Sequence, residues 1–160
     1  MLSTSGNSDP IARAFDRGSG KGNAGWVDAL SAVPLFRELS QRNLRKVAAK
    51  GTMKRYAPLT PIVRAGDPGD AFYIILDGTA SVRKTGRRAV KLGPGDFFGE
   101  LALLDAAPRN ASVEADEHVL AMRLGRAAFK KMLESEPKVA IAMLRGLAAR
   151  AREAKPSPGD

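Results

Sequence analysis

Hydrophobic residues change their spacing twice along this chain. Between Trp26 and Gly51 the apolar residues recur every three or four positions, a period typical of amphipathic helices. From Thr52 to Leu124 short runs rich in Val, Ile, Phe and Tyr are separated by turn residues, which predicts strands. After Gly125 the helical spacing returns. The pattern therefore predicts a mainly β central part with helices on both sides.

The N-terminal helical part divides into two short helices at Pro34, a residue that ends helices. Ser40 stands where the N-cap of the second helix is expected, and Gly51 follows its last apolar position. The first helix has one apolar face, formed by Trp26, Ala29, Leu30 and Val33. The sequence thus predicts one helix that ends before Pro34 and a second between Ser40 and Gly51.

Turn signals rich in Gly, Pro and Asp divide the central part at residues 67–70, 77–78, 85–86 and 93–96. Strands at intervals of about eight to twelve residues are typical of an antiparallel barrel or jelly roll. The candidate core residues on these strands are Tyr73, Ile75, Val82, Val90, Leu92, Val113, Val119 and Met122.

The C-terminal part predicts a short helix followed by a longer one that starts at Pro137. The longer helix carries an apolar stripe of Val139, Ala140, Met143, Leu144, Leu147 and Ala148. We therefore expect one folded domain over residues 26–153. Residues 1–25 and 154–160 contain few large apolar side chains, so we expect them to form disordered N-terminal and C-terminal tails.

The chain carries a net charge of +9, and its cations form two clusters. Such clusters attract the phosphates of nucleic acids, but no aromatic residues are interleaved here. The favoured interpretation is a solvated helix face and an exposed hairpin, with nucleic-acid binding as the alternative. The clusters are Arg42, Arg45, Lys46, Lys50, Lys54 and Arg55, and Arg83, Lys84, Arg87, Arg88 and Lys91.

Composition limits the remaining classes. With 160 residues, 44% of them hydrophobic, the chain can bury a single core. The absence of cysteine excludes disulfides, thiol catalysis and thiolate metal sites. No run approaches the roughly eighteen apolar residues of a membrane span, and the N-terminus lacks an apolar run of signal-peptide type. We expect a cytoplasmic protein with no transmembrane segment.

The sequence lacks the residues that common classes of enzyme require. His118 is the only histidine, so a histidine-rich metal site is not expected, and no Gly-x-Ser-x-Gly motif accompanies it. We interpret His118 as a surface residue at a turn, and Asp67 and Asp70 as turn caps rather than paired catalytic acids. No Walker Lys-Ser/Thr is present for hydrolysis of a nucleoside triphosphate. We therefore expect no catalytic residues, no metal and no cofactor.

Residues 97–113 combine the groups that grip a phosphorylated sugar. Gly99 lacks a Cβ and allows a phosphate to approach the backbone, and Glu100 can accept hydrogen bonds from ribose hydroxyls. Arg109 can bind a phosphate through two charge-assisted hydrogen bonds. The amides that open the short apolar turn 101–104 also face an anion favourably.

This segment resembles the phosphate-binding cassette of cyclic-nucleotide-binding domains. Residues 66–78 resemble the same family, with a Gly-Asp pair, an aromatic-aliphatic strand and a glycine. Asn110 departs from the small residue that the family commonly has there. The resemblance implies a ligand, cyclic AMP or cyclic GMP, held by Val82, Phe98, Gly99, Glu100, Leu101, Ala102, Arg109, Asn110, Ala111 and Ser112.

The resemblance also implies an antiparallel eight-stranded β-roll, similar to a jelly roll, with N-terminal helices and C-terminal lid helices. Members such as the catabolite activators add a helix-turn-helix, whereas this chain ends at Asp160. We therefore expect a stand-alone sensor that moves its C-terminal helix and signals through a partner protein or a homodimer, without sequence-specific DNA binding. The alternative is a non-enzymatic nucleic-acid-binding or scaffold protein that uses the basic surface.

Two finer expectations concern the base of the nucleotide. Ser112 is expected to contact either the phosphate or a guanine amino group. Arg145 or Arg150 could stack on the base from the C-terminal helix, although the favoured interpretation leaves both solvated.

Overall fold

The structure, a computed structural model, describes residues 23–153. The predicted N-terminal and C-terminal tails lie almost wholly outside the described residues. Helix α1 begins at Asn23, before Trp26, where the predicted domain starts. The helical elements are α1 (Asn23–Ser31), a 3₁₀ turn (Pro34–Phe36), α2 (Gln41–Lys50), α3 (Glu100–Leu104), α4 (Arg126–Ser135) and α5 (Pro137–Glu153).

Eight antiparallel strands form two four-stranded sheets, which confirms the predicted β-roll. The strands are β1 (Thr52–Tyr56), β2 (Pro61–Val63), β3 (Ala71–Asp77), β4 (Ala80–Arg83), β5 (Val90–Leu92), β6 (Phe97–Phe98), β7 (Ser112–Ala115) and β8 (Val119–Gly125). One sheet has the order β1-β8-β3-β6 and the other β2-β7-β4-β5.

The N-terminal helices form where the sequence predicts them. The Ser40 hydroxyl accepts a hydrogen bond from the Asn43 amide at 3.1 Å and caps helix α2, which ends before Gly51. Three residues of the predicted face of the first helix, Ala29, Leu30 and Val33, are fully buried. The part expected of the Trp26 side chain lies outside the described residues.

Strand β3 separates two hydrophobic cores, because successive side chains on a strand point to opposite faces. Phe72, Ile74 and Leu76 belong to the core between this sheet and the helices. Tyr73 and Ile75 belong to the core enclosed by the two sheets. A continuous apolar run on β3 is therefore required, and all six residues from Ala71 to Leu76 are buried.

One prediction of burial is wrong. Val90 is 57% exposed because it lies on β5, an edge strand of its sheet. The predicted stripe on helix α5 divides between two faces, with Val139 and Met143 buried and Leu144 65% exposed. The stripe covers about half of the helix circumference, which is wider than the surface on which α5 packs.

No helix among residues 23–153 is both long and apolar enough to span a lipid bilayer. His118 is exposed and directly precedes β8, as predicted. Gly78 has a φ of +84°, and a Cβ there would lie 2.1 Å from the His118 carbonyl oxygen, so this turn requires glycine.

Candidate functional site

Gly99 lies between strand β6 and helix α3 and lines a cavity. Its φ is +91°, and a Cβ at this position would lie 2.8 Å from the Ala71 carbonyl oxygen and 3.1 Å from Nη1 of Arg109. Glycine therefore satisfies both the backbone conformation and the close approach of the arginine.

The side chain of Arg109 is only 5% exposed, and several contacts fix its position. Nη2 donates a hydrogen bond to the Ala71 carbonyl oxygen at 3.0 Å and lies 3.5 Å from Oδ1 of Asp70. The Arg109 amide donates to the Asp67 carbonyl oxygen at 2.9 Å, and the Arg109 carbonyl accepts from the Gly66 amide at 2.8 Å. The guanidinium thus has a fixed position in the wall of the cavity.

Aromatic side chains support this arginine from the enclosed core. The rings of Tyr73 and Phe98 stack with centroids 5.0 Å apart, and the Arg109 guanidinium carbon lies 5.9 Å from the Tyr73 ring centroid. Contact with an aromatic face stabilises a buried cation.

Glu100 opens helix α3 and is 3% exposed. Burial raises the pKa of its carboxyl above the ordinary value of 4.5. Its own backbone amide, and the positive charges of Arg150 and Arg109, oppose that increase in pKa. A buried carboxylate between two arginines is a strong hydrogen-bond acceptor for a ligand hydroxyl.

Arg150 reaches this carboxylate from helix α5. Its Nη1 lies 3.4 Å from Oε1 of Glu100, and its Nη2 donates to the Phe97 carbonyl oxygen. Its guanidinium carbon also lies 4.3 Å from the Phe97 ring centroid. The expectation that Arg150 is solvated is therefore wrong, because a carboxylate, a carbonyl and an aromatic ring attract the same guanidinium. Arg145 is exposed, as expected.

These elements enclose a cavity of about 130 Å³. Its lining brings together nine of the predicted site residues: Val82, Phe98, Gly99, Glu100, Leu101, Ala102, Arg109, Asn110 and Ala111. Val63, Val113 and Arg150 complete it. The arrangement presents a fixed cation, a buried acceptor and apolar walls, which suits a small anionic sugar phosphate.

Ser112 is the predicted site residue that does not line this cavity. Its hydroxyl accepts a hydrogen bond from the Ala65 amide at 2.9 Å, and Ser112 lines a neighbouring groove that shares Asn110 and Val113 with the cavity. The alternation of side chains along β7 explains the difference, because Val113 faces the cavity and Ser112 faces away. The expected contact of Ser112 with phosphate or base stays a prediction.

Comparisons with known proteins agree with this geometry. Residues 53–136 match the family model described as the cyclic nucleotide-binding domain. The chain belongs to the cyclic nucleotide-binding domain family. The cAMP-dependent protein kinase regulatory subunit of Colletotrichum orbiculare is 41% identical over 110 residues, which cover 68% of this chain and 28% of that protein.

Solved structures show the same domain. The Thermus thermophilus catabolite activator protein has a TM-score of 0.67 and 32% identity over 76% of this chain and 59% of its own. The regulatory domain of Toxoplasma gondii PKA, crystallised with cAMP, has a TM-score of 0.64 and 30% identity over 78% of this chain and 47% of its own. The chain spans about a quarter of the length of the curated relatives it matches.

The cavity of this cyclic nucleotide-binding domain continues into a larger cleft. Val82 and Arg150 line both spaces, and the cleft, of about 880 Å³, lies between strand β5, the 3₁₀ turn and helix α5. Its walls mix apolar residues such as Leu92 and Phe97 with charged residues such as Glu153. A ligand larger than the cavity would extend into this cleft.

Three lining residues, Val63, Val113 and Arg150, were not among the predicted site residues. Val63 lies on a strand that carries no motif, and Val113 was expected in the core; the pairing of β2 with β7 brings both to the cavity. Arg150 lies on a helix far from the motif in sequence. The sequence gives one indication of this role: Arg150 is a cation on the same face of α5 as the buried residues Val139 and Met143. Among residues 23–153 no group of three or more His, Cys, Asp or Glu could hold a metal ion.

Proposed function

We propose that this domain binds one 3′,5′-cyclic mononucleotide in the cavity. Arg109 holds the cyclic phosphate, assisted by the backbone of Gly99, and Glu100 accepts a hydrogen bond from the ribose 2′-hydroxyl. The observation that carries the proposal is the burial of Arg109 beside Glu100, with both side chains lining one small cavity. A buried guanidinium and a buried carboxylate match the phosphate and the hydroxyl of one ligand.

The base extends into the larger cleft, and we propose a preference for cAMP over cGMP. Ala111 contributes only a methyl group to the cavity, and the Ser112 hydroxyl, which accepts a hydrogen bond from the Ala65 amide, does not line it. The guanine 2-amino group, which adenine lacks, therefore finds no hydroxyl partner at this turn, and an unpaired buried donor weakens binding. The relatives whose names mention cAMP support this choice.

Arg150 connects the ligand to helix α5. A carboxylate can accept several hydrogen bonds, so Glu100 can serve the ribose and Arg150 together. Nucleotide binding then favours the position of α5 that keeps Arg150 on Glu100, and the output passes through that helix to a partner. The ligand shifts the equilibrium only by the difference in contacts between the two positions.

Titration calorimetry with cAMP and cGMP tests the proposal on the wild type, Arg109→Ala and Arg123→Ala. Arg123 is the matched control because it also pairs with Asp70, at 3.3 Å, but does not line the cavity. Arg109→Ala should weaken cAMP binding by about 1.5–3 kcal/mol, the scale of a hydrogen bond to a charged group. Equal dissociation constants for the wild type and Arg109→Ala would refute the assignment.

The basic surface supports a second role, docking to an acidic surface. Arg64, Arg83, Lys84 and Arg87 line one groove, and among residues 23–153 none of them forms a salt bridge. Binding to random duplex DNA should be weak and should fall steeply with salt, since it would rest on phosphate contacts alone. A sequence-specific footprint at physiological salt would contradict this role.

A further inference from the structure

Helix α5 has an apolar stripe on the face opposite to the cleft. Ile141 is 48% exposed and Leu144 is 65% exposed, and Ala148 and Ala151 are also exposed. These four residues follow one another at intervals of three, four and three. That spacing is the a/d pattern of a helix that packs against another helix.

A column of cations borders this stripe. Lys138, Arg145 and Arg152 recur every seven residues and are all exposed, which places them on one flank at the e position of the heptad. Among residues 23–153 none of the three forms a salt bridge. Glu38 lines the same cleft as Arg145 but makes no ion pair with it. The column therefore has unmatched charge along the whole helix.

A second copy of this chain does not supply the matching charge. In a parallel pair of α5 helices, the e residues would face the g residues Ala140 and Leu147, which carry no charge. In an antiparallel pair the e residues would face each other, and cations would oppose cations. Self-association would bury the stripe and leave the column unpaired or repelled.

We propose that the outer face of α5 docks a helix of a partner protein that has apolar a and d residues and a flanking row of Asp or Glu. The apolar residues of the partner cover Ile141 and Leu144, and its carboxylates pair with Arg145 and Arg152. The apolar part of this surface is distinct from the nucleotide site, since Ile141 and Leu144 line neither the cavity nor the cleft.

The probe is a synthetic helical peptide of about three heptads with Leu at a and d and Glu at e and g, so that either orientation is matched. Two comparison peptides carry Gln or Lys at e and g. Fluorescence anisotropy with the full chain should show the Glu peptide binding most tightly, then Gln, then Lys. Equal binding of the Glu and Gln peptides, or no binding of the Glu peptide, would overturn the proposal.

Paired charge reversals identify the surface. Arg145→Glu with Arg152→Glu should weaken binding of the Glu peptide by roughly three- to tenfold, as expected for two exposed ion pairs, and should strengthen binding of the Lys peptide. Arg42→Glu with Arg45→Glu on α2 makes the same change in net charge elsewhere and should alter binding less than twofold. An equal loss of affinity for the Glu peptide in the two variants would show that net charge alone causes the effect, and it would contradict the proposal.

Analytical ultracentrifugation of the full chain tests whether a second copy of the chain covers this face instead. The proposal predicts that the chain does not dimerise through the outer face of α5. A dimer that Leu144→Lys dissociates would assign the face to a second copy and overturn the proposal.

Discussion

Replacing Arg150 by Gln should weaken nucleotide binding through the ribose. The Arg150 Nη1 and Glu100 Oε1 atoms are 3.4 Å apart, with side-chain exposures of 35% and 4%. At an effective dielectric constant of about 20, such a pair attracts by about 5 kcal/mol. The exposure of Arg150 and the lost hydration of both groups leave a net effect of about 1 kcal/mol, or about fivefold in the dissociation constant.

Calorimetric titrations with cAMP and its 2′-deoxy analogue measure that effect. Arg150→Gln should weaken cAMP binding about fivefold and leave the 2′-deoxy analogue nearly unchanged, because Arg150 acts on the ribose only through Glu100. Arg152→Gln, at an exposed arginine on the same helix that lines neither the cavity nor the cleft, serves as the matched control and should change neither. Equal weakening of both ligands by Arg150→Gln would show that Arg150 acts only by packing α5, and the link to the ribose would be refuted.

Three further predictions concern single residues of the cavity. The raised pKa of Glu100 implies that cAMP affinity falls as the pH decreases through that pKa, above 4.5, because protonation removes the charged acceptor; titrations across acid pH measure this. Gly99→Ala should lower the free energy of unfolding by roughly 1–3 kcal/mol in urea denaturation, since its φ of +91° is strained for alanine. Ala111→Ser should narrow the ratio of cAMP to cGMP affinity in competition assays, by less than about tenfold, by adding a hydroxyl to the cavity.

Much of the cavity could be predicted because its residues are close together in sequence. Gly99, Glu100 and Arg109 lie in one short segment, so their chemistry was evident without the fold. The side on which each residue faces was less evident. Ser112 and Val113 are neighbours, and only the register of β7 decides which of them reaches the cavity.

Helix α5 shows the limit of periodicity. Its apolar residues cover two faces, and a sequence cannot tell which face packs on the sheet. Because Val139 and Met143 are buried in the helical core, removing all residues after Lys138 would open that core and destabilise the fold. The role of Arg150 depends on contacts with Phe97 and Glu100, which lie about fifty residues earlier in the chain.

The two residues of strand β6 face opposite cores. Phe98 stacks on Tyr73 beside the cavity, whereas Phe97 contacts Arg150, and a Cβ added at Gly146 of α5 would lie 3.1 Å from the Phe97 ring. Phe98 lines the cavity and Phe97 lines the adjoining cleft, so the two neighbouring rings meet different parts of the site. Substitution of Phe98 should mainly lower ligand affinity, whereas substitution of Phe97 should mainly disturb the contact of β6 with Arg150 on α5.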